Sequence, residues 1–131
     1  PIFEKYMPVF TAINNAGWEP TSYATMDNEL VDPGKGMGTA GLPFPDKSEA
    51  IICERWGSNA AKGLYYTLYN QSDKQRTVHV SIDLKALHSR IPTSAFEMVT
   101  NQKLDLDTSN GKCTFTLTID PSRSAAVKLT R

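Results

Sequence analysis

Apolar and polar residues alternate through most of the chain after residue 49. The alternation is clearest over residues 64–69 and 77–84, and it also marks residues 51–56, 96–99 and 124–130. A period of two is typical of strands that bury one face. About seven or eight short strands predict an all-β fold, an antiparallel two-sheet β-sandwich. The predicted core consists of the apolar positions that share this phase: Leu64, Tyr66, Leu68, Val78, Val80, Ile82, Leu104, Leu106, Phe115, Leu117 and Val127.

Two strand pairings are predicted from the intervening turns. Residues 64–69 and 77–84 are predicted to form a hairpin across residues 70–74. Asn110-Gly111 favours a type I′ turn, because both residue types tolerate positive φ angles. A two-residue loop there would pair Leu106 with Phe115 and Leu104 with Leu117, which places four large apolar side chains on one face.

The first half of the chain differs from this pattern. An N-terminal helix is predicted from Pro8 at its first position, through an apolar stripe that includes Phe10 and Ile13, to Gly17. Residues 1–25 are interpreted as this helix and a connecting strand that lead from a missing upstream domain, since the chain begins without methionine. Residues 26–48 are predicted to be a Gly/Pro-rich loop and residues 49–131 the sandwich body, all within one domain.

Composition excludes several classes of partner. Lys and Arg number 14 and Asp and Glu number 14, so no net field attracts a polyanion, and nucleic acid is not an expected partner. No apolar run is long enough for a membrane span. Cys53 and Cys113 are predicted to be small core side chains, with a single bridge between them as the alternative. The compartment is left open.

Several stretches match a known motif in part, and none predicts a catalytic, metal or cofactor site. Residues 36–41 have the Gly-x-Gly-x-x-Gly spacing of a dinucleotide turn, but prolines flank them where a strand and helix are required. Residues 105–111 superficially match a calcium loop but have glycine at the wrong position. The scattered acids, among them Glu19, Glu54 and Glu97, are interpreted as solubilising groups rather than a catalytic pair.

One candidate ligand site is aromatic. Tyr65 and Tyr69 alternate with core residues and are predicted on the outward face, where flat rings can stack on sugars. In the alternative, the N-terminal helix or a neighbouring domain covers them. Residues 70–72, Asn-Gln-Ser, also match the N-glycosylation acceptor pattern.

Three stretches resemble the region that follows the catalytic barrel in certain glycoside hydrolases. They are residues 16–24 (Ala-Gly-Trp-Glu-Pro with Tyr-Ala), residues 54–57 (Glu-Arg-Trp-Gly) and residues 63–70 (Gly-Leu-Tyr-Tyr-Thr-Leu-Tyr-Asn), followed by two closing strands over residues 114–129. The resemblance implies a C-terminal accessory β-sandwich of a TIM-barrel enzyme family. Its partner would be the upstream catalytic domain of the same polypeptide, and carbohydrate is a second expected partner. An independent carbohydrate-binding module and a structural or adhesion module are the alternatives.

Overall fold

The computed structural model describes residues 2–30 and 50–131, which form two antiparallel sheets and two helices. In chain order the elements are α1 (Ile2–Ala16), β1 (Trp18–Glu19), β2 (Ala24–Leu30), β3 (Ile51–Trp56), β4 (Leu64–Asn70), β5 (Arg76–Asp83), α2 (Leu84–Leu87), β6 (Ser94–Glu97), β7 (Gln102–Leu104), β8 (Asp107–Ser109), β9 (Lys112–Ile119) and β10 (Ser124–Thr130). The larger sheet has the strand order β1-β3-β4-β10-β6-β7, and the smaller has the order β2-β5-β9-β8.

The predicted all-β sandwich is confirmed, and the number of strands differs. The described residues contain ten strands rather than seven or eight. The difference lies in very short strands such as β1, β7 and β8, which have two or three residues each. A segment of that length contains too few residues to show a period of two.

The two sheets share one hydrophobic core, and the predicted core residues lie in it. Nine of the eleven are buried, and the other two, Leu104 and Leu106, are half-buried against the same cluster. Removing each large apolar side chain from water contributes roughly 1.5–3 kcal/mol. The shared phase of the alternation therefore identified the buried side of each strand.

The predicted hairpin between residues 64–69 and 77–84 is wrong. Strand β4 lies between β3 and β10 in the six-stranded sheet, whereas β5 lies between β2 and β9 in the four-stranded sheet. Their apolar sides face each other across the core, and residues 71–75 carry the chain from one sheet to the other. Alternation shows which side of a strand is buried, but it does not distinguish a neighbour in the same sheet from a strand opposite.

The predicted turn at Asn110-Gly111 is confirmed, but only part of its hairpin forms. Both residues have positive φ angles, 53° and 75°, and β8 pairs with the start of β9. The expected pairing of Leu104 with Leu117 is wrong, because Leu104 belongs to β7 and pairs with Ala95 in the other sheet. The chain therefore changes sheets between β7 and β8.

Helix α1 begins earlier than predicted. It starts at Ile2 and contains Pro8 in its interior, where proline removes one backbone hydrogen bond. It ends as expected at Gly17, which has φ +89° and donates its N–H to the Ile13 carbonyl at 3.2 Å. Phe10, predicted in the buried stripe, is 57% exposed.

The predicted loop is partly replaced by a strand. Residues 26–30 belong to β2, which pairs with β5 along its whole length. Residues 31–48, including the glycine-rich stretch 36–41, lie outside the described residues. Cys53 and Cys113 are free thiols, the first half-buried and the second buried in the core. The interpretation of the two cysteines as core side chains, rather than a bridge, is confirmed.

Candidate functional site

The outer face, meaning the side of the six-stranded sheet turned away from the core, carries a row of aromatic residues. Trp18 lies opposite Trp56, and Trp56 lies opposite Tyr65, on the adjacent strands β1, β3 and β4. Lys128 on β10 is the next residue in the row, and its Nζ lies 5.9 Å from the centre of the Tyr65 ring. The Trp56 indole is fixed by a hydrogen bond from Nε1 to Thr67 Oγ1 at 3.0 Å.

Helix α1 covers the middle of this face. Val9 and Ile13 of the helix pack against Tyr65 and Ala126 of the sheet and form a second apolar cluster. Tyr65 is only 7% exposed as a result. The alternative in which the N-terminal helix covers the aromatic side chains therefore holds for Tyr65.

Tyr69 lies beyond the helix and is 39% exposed. It follows Tyr65 by four residues on β4, so the two Cα atoms are about 13 Å apart. Because only Tyr69 is open, the two predicted ligand-binding residues do not form a shared exposed surface.

Three large hydrophobic side chains of the outer face are exposed. Ile52 is 44% exposed and is the direct cross-strand partner of Tyr69. Trp18, on the edge strand β1, is 54% exposed. Single exposed apolar residues are common, but here two are paired on a sheet face that a helix already covers in part. These three side chains are the best candidate for a contact surface among the described residues.

Arg55 organises the crossover segment, residues 20–23, which carries the chain from β1 to β2. Its Nε donates a hydrogen bond to the Thr21 carbonyl at 2.6 Å, and its guanidinium lies 5.3 Å from the centre of the Tyr23 ring. Glu19 forms an ion pair with it at 3.9 Å. Arg55 is 5% exposed, so these contacts replace the water that the charge loses on burial.

Tyr66 holds the same segment from the neighbouring strand. Its hydroxyl donates to the Ser22 carbonyl at 2.6 Å, and burial raises the pKa of this hydroxyl far above its ordinary value. The backbone N–H of Gly57 donates to the Gly17 carbonyl at 2.8 Å. The three stretches that carry the hydrolase resemblance thus meet at this crossover and join it to the six-stranded sheet.

A second polar cluster closes the opposite end of the sandwich around Asn70. Asn70 is fully buried, and its amide nitrogen donates to the carbonyls of Lys74 at 2.8 Å and Ile119 at 2.9 Å. Its oxygen accepts from the backbone N–H and the hydroxyl of Ser72 at 3.0 and 2.6 Å. Since every polar atom of this amide is bonded inside the fold, Asn70 is not accessible for glycosylation in the folded protein.

Glu97, Asp83 and His79 make contacts that serve local structure. Both oxygens of the buried Glu97 accept hydrogen bonds from the chain, one from the Thr100 N–H at 2.7 Å and the other from the Ala126 N–H at 2.9 Å. Asp83 caps helix α2 through the Ala86 N–H. His79 contacts Glu29 and Thr116 on the surface of the smaller sheet.

Sequence reasoning did not single out Arg55, Asn70 or Glu97 for these roles. All three lie at inward-facing positions of a strand, where the neighbouring inward positions are mostly apolar. A polar residue at an inward position is the signal that would have identified them, because such a residue must find partners inside the protein.

Comparison with models of known protein families finds no match, and no curated protein or solved structure is significantly similar to the chain. Neither helix in residues 2–30 and 50–131 has the length and apolarity to cross a membrane. Within the same residues, no group of three His, Cys, Asp or Glu side chains is arranged to hold a metal ion.

Proposed function

We propose that this chain is a non-catalytic accessory domain of a carbohydrate-active hydrolase and that it stabilises the catalytic barrel of the same polypeptide. The resemblance supplies the enzyme class. The observation that supports docking is the Ile52–Tyr69 pair, which leaves apolar surface open beside helix α1. In this arrangement the helix and the exposed part of the outer face together form the contact with the barrel.

The contact is tested by hydroxyl-radical footprinting of the isolated 131-residue chain and of the full polypeptide. We expect Trp18, Ile52 and Tyr69 to be modified in the isolated chain and protected in the full polypeptide. Thr25, exposed on the opposite sheet, is the reference and should be modified equally in both. Equal modification of the three side chains in both proteins would contradict docking through this face.

A pair of matched variants measures the energetic part of the proposal. Ile52→Lys should lower the unfolding temperature of the full polypeptide while it changes the stability of the isolated chain by no more than about 0.5 kcal/mol. Thr25→Lys introduces the same charge on the other sheet and should leave both proteins unchanged. A loss of stability that is the same in both contexts would show a defect within the sandwich rather than a lost contact.

An independent carbohydrate-binding module is the second candidate, and the exposure of Trp18 and Tyr69 favours it. Aromatic rings that remain exposed beside the helix can stack on sugar rings. Titration of the isolated chain with soluble oligosaccharides, followed by tryptophan fluorescence, distinguishes the two functions. Saturable binding that is lost in the Trp18→Ala, Tyr69→Ala double variant would favour the module, and turnover of aryl glycosides by the chain would contradict both proposals.

A further inference from the structure

The turn between β8 and β9 places an exposed asparagine directly before a glycine. Asn110 and Gly111 are the two residues of this turn, and Asn110 is exposed. The pairing of β8 with β9 begins at Ser109↔Lys112, so the Gly111 N–H takes no part in the ladder of hydrogen bonds. The side-chain amide of Asn110 therefore lies next to a backbone nitrogen that the two strands leave unused.

The fold requires a glycine at position 111. Its φ angle of +75° lies in the left-handed region, which favours glycine. An added Cβ would lie 2.5 Å from Cε of Lys85, whose side chain runs past this position. The Gly111 carbonyl accepts a hydrogen bond from the Leu84 N–H at 2.9 Å, which fixes the turn against the start of α2. The residue after Asn110 therefore has no side chain that could shield its backbone nitrogen.

Strand β8 is held much less firmly than its neighbour. Its three residues are all exposed, and they pair with β9 at three positions. Strand β9 in turn pairs with β5 at eight positions. Segments with few buried contacts open locally at a small cost in free energy. Opening of β8 therefore releases Asn110 from the backbone angles of the turn while β9 stays in the sheet.

We propose that Asn110 is a site of spontaneous deamidation in the folded protein, with water as the co-reactant. The Gly111 nitrogen loses its proton to solvent hydroxide and attacks Cγ of Asn110, and ammonia leaves, which closes a cyclic imide. Water then opens the ring. Cleavage of the bond between the nitrogen and Cγ gives aspartate. Cleavage of the bond between the nitrogen and the main-chain carbonyl carbon gives isoaspartate, whose main chain runs through Cγ. No atom is oxidised or reduced.

The two products differ in their effect on the hairpin. Either product adds a negative charge to a chain in which 14 basic and 14 acidic residues balance. Isoaspartate also lengthens the main chain of a two-residue turn, so Ser109 and Lys112 no longer meet in their present register. Strand β8 then separates from β9. The turn belongs to the opposite sheet from the Ile52–Tyr69 pair, so the inference is independent of the proposed docking to a barrel.

The reaction is tested by incubating the 131-residue chain in mildly alkaline buffer, with and without urea, and mapping its peptides by mass spectrometry. Asn101 is the matched control within the same chain, because it is exposed and has φ 61° but precedes Gln102. In the folded chain Asn110 should convert about tenfold faster than Asn101, since glycine leaves the attacking nitrogen unhindered. Equal rates at the two asparagines, or conversion of Asn110 in urea alone, would overturn the proposal.

The structural consequence is measured by NMR amide exchange on the isoaspartate form after its chromatographic separation. Bonding alternates along the hairpin from its turn, so the amides of Lys112 and Thr114 point to β8 and that of Cys113 points to β5. The first two should exchange about tenfold faster in the isoaspartate form, and the third should be unchanged. Asn110→Asp adds the charge without lengthening the chain and should leave all three unchanged. The same loss of protection in Asn110→Asp, or none in the isoaspartate form, would contradict the proposed lengthening of the turn.

Discussion

The Asn70 side chain is predicted to be the most costly polar group to remove. Replacement by alanine removes four hydrogen bonds and leaves the Ser72 N–H without its partner in a region closed to water. The Lys74 carbonyl keeps the Ser72 hydroxyl at 3.1 Å. Each of the four lost hydrogen bonds contributes about 1 kcal/mol, so we expect Asn70→Ala to lower the free energy of unfolding by about 4 kcal/mol.

This loss is large relative to the total stability of a domain, which is typically about 5–15 kcal/mol. For a chain of this length it corresponds to a fall in Tm of roughly 15 °C. The measurement is urea denaturation followed by the fluorescence of Trp18 and Trp56, analysed as a two-state transition. A parallel calorimetric scan gives the Tm independently.

Asn59→Ala is the matched control. The Asn59 side-chain oxygen also accepts two backbone hydrogen bonds, from Ala61 and Arg90 at 3.0 and 3.1 Å, but both lie at exposed positions. Water can replace the lost bonds there, so the expected cost is below about 1 kcal/mol. Equal costs for Asn59→Ala and Asn70→Ala would refute the reasoning that burial makes the Asn70 network important.

Asn70→Asp adds a test that depends on pH. The substitution replaces the two N–H donors by an oxygen that faces the Lys74 and Ile119 carbonyls, so burial and repulsion should raise the pKa of the new carboxyl. The charged carboxylate is disfavoured in the folded state, which lowers the stability of the variant. This loss of stability is complete above the pKa of the folded state and disappears below the pKa of the unfolded state. Stability relative to the natural chain should therefore rise as the pH falls from 7 to 4. A pH-independent difference would contradict this assignment.

Three further predictions concern separate parts of the fold. Gly57→Ala should lower the free energy of unfolding, measured by urea denaturation, by about 2–4 kcal/mol. At Gly57 φ is +85°, and an added Cβ would lie 2.5 Å from the Gly63 carbonyl oxygen. Gly17→Ala is the control and should cost only about 1 kcal/mol, because nothing lies within 4 Å of its added Cβ. Tyr66→Phe should cost about 1–2 kcal/mol through the orphaned carbonyl of the crossover segment, and a neutral result would show that water reaches that carbonyl. Burial raises the pKa of the Cys113 thiol from an ordinary value near 9.0 to about 12, so between these pH values only the unfolded chain ionises it. In this pH range the ionisation of Cys113 should lower the free energy of unfolding by ~1.4 kcal/mol per pH unit. Cys113→Ala should remove this contribution when the free energy of unfolding is measured against pH.

The buried face of each long strand could be predicted from the sequence, while the arrangement of the strands could not. Alternation identified the inward residues of β4 and β5 because burial acts on each residue locally. Whether β4 and β5 are neighbours depends on the residues that connect them. In this connection the buried Asn70 amide, rather than a tight turn, fixes the course of the chain between the two sheets. The turn at Asn110-Gly111 was predictable, since its φ requirements lie within two residues.

The candidate site was predictable to a smaller extent. The alternation along β4 predicted that Tyr65 and Tyr69 both point outward and are both exposed. The difference between the two arises from helix α1, whose position on the outer face depends on the tertiary packing of Val9 and Ile13 against the sheet. The departure of residues 102–104 to the larger sheet had no sequence signal, because three residues are too few to show a period of two.

The position of β10 has a consequence for the order in which the protein can assemble. This strand lies between β4 and β6, yet it follows every other strand of its sheet in the chain. During synthesis the β1-β3-β4 and β6-β7 portions therefore remain two unjoined ribbons with open edges until residues 124–130 leave the ribosome. The most central hydrogen bonds of the six-stranded sheet are the last to become available, so the open edges of both ribbons are exposed to edge-to-edge aggregation until these residues emerge.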